Sequence, residues 1–362
     1  MPDREGMREA LAEWRPEIDR EIERVLPRDL DADYLAEFFG AAHYEYDEAA
    51  IDDALSTPVW DLLDRGGKRW RAVAFLVLAD GLGGDPAELL PYATIPEILH
   101  NGTIVVDDVE DEATMRRGEE AVHHRYGTDV ALNAGNALYF IPLKIISRNP
   151  ADLDPAARLR IYEMLTYELN RTHLGQGMDI RWHNDDAVDI TEDAYMEMCA
   201  CKTGSLGRIV GRLAAIVTGH DEQVEEALAR YMEKVCIAFQ IGDDILDVEH
   251  TIDADRAGDF GKAFGNDIHE GKKTLMTVHA VAHADPERAR RLEGILADPA
   301  STEADVLEAI DVIQATDGVD YAREEAYRLS AEARAHLDDV PLSDDARAQM
   351  DEFARFVVER DA

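Results

Sequence analysis

The amino-acid sequence predicts an all-α protein, a single-domain bundle of antiparallel helices around a central cavity. Apolar residues recur with the helical period along almost the whole chain, and no segment combines β-strand alternation with flanking turn residues. Proline and glycine separate the periodic segments, and no serine- or glycine-rich linker divides the 362 residues. We therefore expect one domain over residues 46–362, preceded by an accessory helical arm at residues 1–45.

Proline and capping residues place the helix ends. Asp85 is an N-cap residue, and Pro86 follows it at the first helical position. We expect this helix to run towards Pro91 and a further helix to start at about Pro96. The other helices are predicted at residues 7–26, 48–64, 71–79, 130–147, 156–178, 191–218, 222–250, 272–283, 286–297, 302–314, 319–337 and 343–360.

The net charge of the chain argues against polyanionic partners. The chain has 77 acidic and 37 basic residues, which give a net charge of −40 at pH 7. Such a surface repels nucleic acid and anionic membranes. The acidic residues are spread along the chain, so we interpret them as the coat of a folded protein from a high-salt cytoplasm, where salt screens their repulsion. An ordinary acidic protein is the alternative.

Cysteine usage and hydropathy predict a soluble protein of the cytoplasm. The three cysteines, Cys199, Cys201 and Cys236, lie in or near apolar runs without zinc-site spacing, so we expect buried thiols in a reducing compartment. The N-terminus has no apolar signal segment, and no run of 18 apolar residues occurs. No stable membrane insertion is expected.

Two acidic clusters with the pattern D-D-x-x-D lie 136 residues apart, at residues 107–111 and 243–247. Residues i and i+4 share a helix face, so each cluster presents at least two carboxylates on one side. Carboxylate oxygens suit Mg²⁺, which keeps coordination positions for a phosphate. A third copy of the pattern, residues 185–189, lies in a polar stretch, and we interpret it as a solvated loop.

Basic residues gather close to glycines and to these clusters. The chain has only seven lysines, and five of them lie in glycine- or threonine-marked segments: Lys68, Lys202, Lys262, Lys272 and Lys273. Cationic side chains bind phosphate directly. The pattern therefore suggests a diphosphate held through metal between two acidic helices. Metal and cations would neutralise the charge of a departing diphosphate, and an apolar chamber would protect the resulting carbocation from water.

From about Asp64 to Leu275 the chain resembles the trans-isoprenyl diphosphate synthases, or polyprenyl synthetases. The stretches 99–111 and 175–180 look like the geranylgeranyl diphosphate synthase branch. The motifs that carry the resemblance are residues 66–71, Leu99-His100, the two acidic clusters with Arg116-Arg117-Gly118, Lys202-Thr203-Gly204, Phe239-Gln240-Ile241 and residues 261–272. The resemblance implies the isoprenoid synthase type of bundle, a homodimer, and head-to-tail trans condensation of isopentenyl diphosphate with an allylic diphosphate.

The resemblance also implies the roles of the site residues. The ligands of about three Mg²⁺ ions would be Asp107, Asp108, Asp111, Asp243, Asp244 and Asp247. The allylic diphosphate would be bound by Arg116, Lys202, Thr203, Gln240, Lys262 and Lys272. Isopentenyl diphosphate would be bound by Lys68, Arg71, His100 and Arg117. The Lys202 carbonyl and the Gln240 amide would stabilise the allylic cation, and the departing diphosphate would accept the final proton.

Three of these residues have structural alternatives. His100 on an apolar helix is also typical of a core histidine, although it lies seven residues before Asp107, where the family has a ligand. Gln240 could bridge two helices as a structural amide. Asp247 either holds the metal, directly or through another group, or is a charge on the helix surface.

The residues before the first acidic cluster predict the product length. In the family the allylic tail grows beside this helix, and the positions five and four residues before Asp107 are the small Gly102 and Thr103. A C15 stop is therefore not expected. Leu99, Ile98 and Ile95 would set a floor near C20, with C25 or longer as the alternative. A terpene cyclase and a non-catalytic partner subunit share the fold, but both typically lack motifs that are intact here.

Overall fold

The computed structural model describes residues 6–184, 189–252, 265–298 and 300–359. The predicted all-α class is confirmed, because helices make up almost all regular structure in this part of the chain. The helices are α1 Gly6–Val25, α2 Ala32–Phe38, α3 Glu48–Ile51, α4 Thr57–Asp64, α5 Trp70–Gly81, α6 Pro86–Glu110, α7 Val122–Tyr126, α8 Thr128–Phe140, α9 Leu143–Arg148, α10 Pro155–His183, α11 Glu192–Cys199, α12 Ser205–Val217, α13 Glu222–Ile252, α14 Asn266–His269, α15 Leu275–His283, α16 Pro286–Leu296, α17 Glu303–Ala315, α18 Gly318–Ala335 and α19 Asp344–Phe356.

Two π-helical turns and one β-hairpin interrupt the α-helical pattern in the described residues. Two π-helical turns, π1 Asp52–Ser56 and π2 Ala200–Gly204, lie between α3 and α4 and between α11 and α12. The strands β1 Met115–Arg116 and β2 Glu119–Glu120 pair as an antiparallel hairpin. Sequence patterning did not predict this hairpin, because two-residue strands are too short to show alternation.

The chain divides into two compact units. The first unit consists of Met1–Met164, Arg212–Glu225 and Pro341–Gln349, and the second of Leu165–Gly211, Glu226–Val340 and Met350–Ala362. The division into an N-terminal arm and one domain at residue 45 stays a prediction.

The first unit is built around α5 and α6. Every residue of α5 except Asp80 is buried, and α6 packs against both α5 and α8. A Cβ atom at Gly102 would lie 2.8 Å from the Leu138 Cβ atom, so this glycine allows α6 to approach α8 closely. Helix α1 adds its buried Ile18 and Ile22 and packs against α5 and α6.

The predicted break between Pro91 and Pro96 is wrong, because α6 continues through both prolines. Proline in a helix interior costs about 3 kcal/mol. Burial of one large aliphatic side chain contributes about 1.5–3 kcal/mol. This stretch of α6 buries Ile95, Ile98 and Leu99, so packing is of the size needed to offset the cost of the two prolines.

Other predicted helix boundaries also differ from the structure. The segment 130–147 is two helices, α8 and α9, separated at Pro142. The segment 191–218 is interrupted by π2. The predicted helix 272–283 begins only at Leu275, because Thr274 caps it by accepting a hydrogen bond from the backbone N–H of Thr277.

The second unit contains a close contact between α12 and α13. Cβ atoms at Gly207 and Gly211 would lie 2.6 Å from the Met232 carbonyl oxygen and 2.4 Å from the Leu228 carbonyl oxygen. These glycines therefore let the two helix backbones touch. Helix α15 packs against α11, α16, α17 and α18 in the same unit.

One stretch of the described residues, Thr128–Arg148, is long and apolar enough to match a membrane span by length and composition. A core helix of a soluble protein passes the same test. Half of the apolar window is buried in the fold, and α8 packs against α6, so packing inside the first unit accounts for its apolar character.

Candidate active site

The first acidic cluster occupies the C-terminal end of α6. Asp108 is fully buried, and its Oδ1 atom accepts a hydrogen bond of 2.7 Å from Arg116 Nε and a second from Arg116 Nη2. Burial raises the pKa of Asp108, and the ion pair with Arg116 opposes this effect. Asp107 and Asp111 are half-buried and lie one turn apart on the same face. The cluster thus combines one fully buried carboxylate with two half-buried ones.

The donor set of this cluster fits a hard divalent cation. The Oδ2 atom of Asp108 is buried and accepts no hydrogen bond from any residue in the described part of the chain. Three carboxylates at the C-terminal end of a helix, where the helix dipole is negative, create a strongly negative potential. Oxygen ligands of this kind suit Mg²⁺.

A set of basic side chains lies beside the cluster in the first unit. Arg117 donates hydrogen bonds to the carbonyl oxygen of Gly66 at 2.7 Å and to Asn101 Oδ1 at 3.0 Å. Arg71 is buried and stacks on the Trp70 ring, 4.2 Å from its centroid. His100 Nδ1 is buried and has no hydrogen-bond partner among the described residues. Lys68 is exposed at the edge of this set.

Burial and crowding of positive charge set the protonation of this basic set. Burial, followed by the charges of Arg71 and Arg117, holds the pKa of His100 well below its ordinary value. Burial and the neighbouring Arg69 lower the pKa of Arg117 to about 10. In a chain with a net charge of −40, this is a local positive site that an anion would stabilise.

Two turns hold the basic residues in place. Gly66 and Gly67, with φ of 101° and 136°, precede α5 and require the conformational freedom of glycine. Arg117 and Gly118, with φ of 52° and 78°, form the two-residue turn of the β1–β2 hairpin. This left-handed pair is the geometry that such tight hairpins favour. Arg65 ties the hairpin down by donating to the carbonyl oxygens of Arg116 and Glu120.

Sequence reasoning missed two polar residues of α6 that support this site. Glu97 is buried, and its Oε1 atom accepts hydrogen bonds from the backbone N–H groups of Arg71 and Ala72 at the start of α5. Asn101 is buried and accepts from Arg117. The available signal was the position of two polar side chains, one turn apart, within an otherwise apolar helix.

The second acidic cluster lies on α13 in the second unit. Asp244 is buried, and its two oxygens accept hydrogen bonds from Gln240 Nε2 at 2.8 Å and from the Tyr195 hydroxyl at 3.1 Å. Asp247 is also buried, and its Oδ2 atom accepts from the backbone N–H of Asp267 at 3.2 Å. Asp247 is therefore not a surface charge, which removes one of its two interpretations. Asp243 is half-buried.

Lys202 and Thr203 lie in the π2 turn. Lys202 Nζ forms an ion pair of 2.5 Å with Asp179 Oδ2 on α10. Gly175 allows α10 to approach the turn, because a Cβ atom there would lie 2.3 Å from the Lys202 nitrogen. Single π turns within helices are frequent at functional sites. Sequence reasoning assigned no catalytic role to Asp179, although it lies in the stretch 175–180 that carried part of the resemblance.

The last predicted cations lie beyond α13. Lys272 is half-exposed in the turn after α14, where its Nζ atom lies 2.6 Å from Glu270 Oε2 and 3.5 Å from Asp267 Oδ1. Lys262 lies outside the described residues. The structure thus brings the predicted residues into two groups, one in each unit: Lys68, Arg71, His100, Asp107, Asp108, Asp111, Arg116 and Arg117 in the first, and Lys202, Thr203, Gln240, Asp243, Asp244, Asp247 and Lys272 in the second.

The chain is similar to proteins of known activity over most of its length. The polyprenyl synthetase family profile matches residues 52–313. The chain is 36% identical over 302 residues to the geranylgeranyl pyrophosphate synthase of Geoglobus acetivorans, covering 83% of this chain and 88% of that protein. It is 31% identical over 316 residues to the geranylfarnesyl diphosphate synthase of Natronomonas pharaonis, again covering 83% and 88%.

Solved structures share the whole fold. The geranylgeranyl pyrophosphate synthetase of Pyrococcus horikoshii Ot3 superposes with a TM-score of 0.81 at 28% identity, covering 98% of this chain and 99% of that chain. A geranylgeranyl pyrophosphate synthase of Corynebacterium glutamicum, crystallised with isoprenyl diphosphate and magnesium, superposes with a TM-score of 0.77 at 24% identity, covering 95% and 99%. The second likeness shows the fold alone.

Proposed function

Because this chain belongs to the polyprenyl synthetase family and is a trans-prenyltransferase, we propose that it condenses isopentenyl diphosphate with allylic diphosphates to give geranylgeranyl diphosphate. The observation that carries this length is the order of side chains on α6: the small Thr103, one turn before Asp107, leaves room beyond C15, and the larger Leu99, one turn further, sets a floor near C20. A relative at 36% identity is named a geranylgeranyl pyrophosphate synthase, which supports the same length.

The basic set of the first unit binds the diphosphate of isopentenyl diphosphate in this proposal. Arg71 and Arg117 supply positive charge, Lys68 reaches the anion from the exposed edge, and His100 offers a ring N–H. The positive charge of Arg117 is disfavoured first by burial and then by repulsion from Arg69, as its lowered pKa indicates. A bound diphosphate relieves this repulsion, and that relief contributes to its affinity.

The carboxylates of the two acidic clusters hold about three Mg²⁺ ions: Asp107, Asp108, Asp111, Asp243, Asp244 and Asp247. Bound Mg²⁺ neutralises the charge that develops on a departing diphosphate. Arg116, Lys202, Thr203, Gln240, Lys262 and Lys272 bind the allylic diphosphate directly. The ammonium group of Lys202 has three N–H donors, so it can keep its contact with Asp179 while it binds the diphosphate.

The residues then guide three bond changes. The C–O bond of the allylic diphosphate breaks, and the diphosphate leaves with the electron pair. The carbonyl oxygen of Lys202 and the amide oxygen of Gln240 stabilise the allylic cation. The double bond of isopentenyl diphosphate attacks this cation to form the new C–C bond, and the released diphosphate accepts the proton that is lost.

The floor of the product chamber follows from helical geometry. At 100° per residue, His100, Thr103 and Asp107 share one face of α6. Leu99 lies within about 80° of Asp107, whereas Ile98 points to about the opposite side. Gly102 packs against α8. Leu99 is therefore the residue of the expected floor that best fits a C20 limit.

A C25 product is the second candidate. The Natronomonas pharaonis relative at 31% identity is named a geranylfarnesyl diphosphate synthase, and the small Thr103 would not stop a longer chain. Incubation with Mg²⁺ in high KCl, labelled isopentenyl diphosphate and the C5, C10 and C15 primers decides between them by product length. We expect C20, and a C25 or longer product would refute the assigned floor.

Variants test both the mechanism and the floor in the same assay. Asp107→Ala and Asp243→Ala should each lower the rate by at least about 10²-fold, whereas Asp339→Ala on the exposed surface should not. Thr103→Phe should shorten the product to C15. If the wild type elongates none of the primers, the proposed condensation itself is refuted.

We also propose that a second copy of this chain covers one face of α10. Leu159, Tyr167 and Leu174 lie on one face of that helix and are 57%, 58% and 65% exposed. Such an exposed apolar face is unusual on a chain of net charge −40. Exposed apolar patches of this kind mark association sites. Light scattering at high KCl should show a dimer that Leu174→Glu dissociates and Tyr44→Glu, at an exposed site elsewhere, leaves intact. A monomeric wild type would refute the dimer.

A further inference from the structure

Three side chains that take no part in the proposed reaction converge on the surface of the second unit. Glu192 is the first residue of α11, and His279 and His283 lie one turn apart on α15. One potential ligand atom of each residue lies within 4.8 Å of the other two. The two imidazole rings stack with their centroids 4.0 Å apart. Two histidines at i and i+4 are a common chelating arrangement on a helix.

Hydrogen bonds determine which ring nitrogens face a ligand. His283 Nδ1 lies 2.9 Å from the carbonyl oxygen of His279, and His279 Nδ1 lies 2.7 Å from Glu192 Oε1. Carbonyl and carboxylate oxygens only accept hydrogen bonds, so each Nδ1 carries the hydrogen. In the neutral rings, the lone pair of each histidine is therefore on Nε2. Metal-binding histidines typically donate their other ring N–H to such an oxygen.

Tyr321 on α18 holds the third member of the cluster. Its hydroxyl donates to Glu192 Oε2 at 2.6 Å, and its ring stacks on that of His279 with the centroids 4.1 Å apart. The side chain of Glu192 is thereby positioned from both sides. His283 is exposed, while the other two residues are half-buried, so solvent molecules can complete a coordination shell.

We propose that His279 and His283 bind a divalent transition-metal ion of the zinc class through their Nε2 atoms, with Glu192 as the residue that orients His279. Imidazole nitrogens are donors that zinc and its neighbours prefer, whereas Mg²⁺ takes oxygen ligands. This site is therefore chemically distinct from the two acidic clusters. Glu192 links α11 to the site through its hydrogen bond to His279, and the proposal does not depend on the reaction that the chain catalyses.

The test is a calorimetric titration of the full-length protein with Zn²⁺ in a large excess of Mg²⁺, which occupies carboxylate sites. The wild type should bind one zinc ion more than His279→Ala or His283→Ala. Glu192→Gln, which keeps the size of the side chain, should bind that ion about 10–100-fold more weakly. Circular dichroism checks that each variant is folded.

A matched control exists on α10. His173 Nδ1 lies 2.9 Å from the carbonyl oxygen of Leu169, as in His283, but no histidine lies one turn away from His173. His173→Ala should retain the full zinc stoichiometry, and Zn²⁺ should raise its melting temperature as it does for the wild type. Equal zinc binding by the wild type, His279→Ala and His283→Ala would overturn the proposal, as would a wild type that binds no zinc under these conditions.

Discussion

At the scale of single residues, burial rather than residue type sets the charge of His100. Its pKa lies well below the ordinary value of 6.5, because the ring is buried and the neighbouring Arg71 and Arg117 disfavour a further positive charge. The ring is therefore neutral in the folded protein near pH 7, while in the unfolded chain it titrates at about its ordinary value.

This difference predicts a pH dependence of stability. Because the pKa of His100 is lower in the folded state, this residue contributes stability at pH values above its pKa in the unfolded chain. That contribution is lost as the pH falls below the pKa of the unfolded chain, which binds the proton more tightly. The free energy of unfolding should decrease from about pH 7 to pH 5.5. His100→Gln should reduce this slope in melts at constant KCl. The same slope in both proteins would contradict the assigned cause.

A second prediction at this scale concerns Tyr195, which donates a hydrogen bond to Asp244. Tyr195→Phe removes a hydrogen bond that orients this carboxylate, and should lower stability by about 1.5–3 kcal/mol. If Asp244 binds metal, the variant should also need about tenfold more Mg²⁺ for half-maximal activity. Titrating activity with Mg²⁺ separates this effect from a general loss of fold. An unchanged requirement would mean that Tyr195 does not position a metal ligand.

At the scale of helices, packing decides features that local preference does not. Helix α6 continues through Pro91 and Pro96 because the same stretch is buried on most sides. Helix α12 touches the backbone of α13 because Gly207 and Gly211 carry no side chain. Glycine lowers the intrinsic stability of a helix, so its presence inside α12 reflects the demand of the neighbouring helix.

The contact between α12 and α13 gives a paired prediction. Gly211→Ala would place a Cβ atom 2.4 Å from the Leu228 carbonyl oxygen, and should destabilise the protein by about 1–3 kcal/mol through overpacking. Gly294 in α16 has no atom within 4 Å of its hypothetical Cβ atom, so Gly294→Ala should be stabilising by up to about 1 kcal/mol. Thermal melts of the two variants should shift in opposite directions; a shift of the same sign would contradict the packing argument.

At the scale of the whole molecule, the net charge of −40 is the dominant property. Self-repulsion of this size destabilises a compact state, and salt reduces it, because the Debye length falls from about 10 Å at 0.1 M to about 3 Å at 1 M. The basic set beside the first acidic cluster is a local exception to this field. An anion therefore meets a favourable potential at this set, although the net charge of the chain repels it.

If the acidic coat is an adaptation to salt, the protein should lose helicity in dilute buffer and regain it with KCl. Circular dichroism across a KCl series measures this directly. Sorbitol at matched osmolality is the control, since an uncharged solute does not screen charge. Full helicity in dilute buffer would show that the coat serves another purpose.

The sequence by itself determined the all-α class, the family and the order of the motifs. These features rest on local patterns: a helical period, a spacing of four residues between carboxylates, and glycines beside lysines. Only the tertiary structure decided the partners of the site residues. Tyr195 reaches Asp244 across 49 positions and Lys202 reaches Asp179 across 23. His100 owes its neutrality first to burial and then to arginines from other elements. Such contacts depend on how the helices pack. Packing buries side chains from segments that are distant in the sequence, and no local period encodes which segments meet.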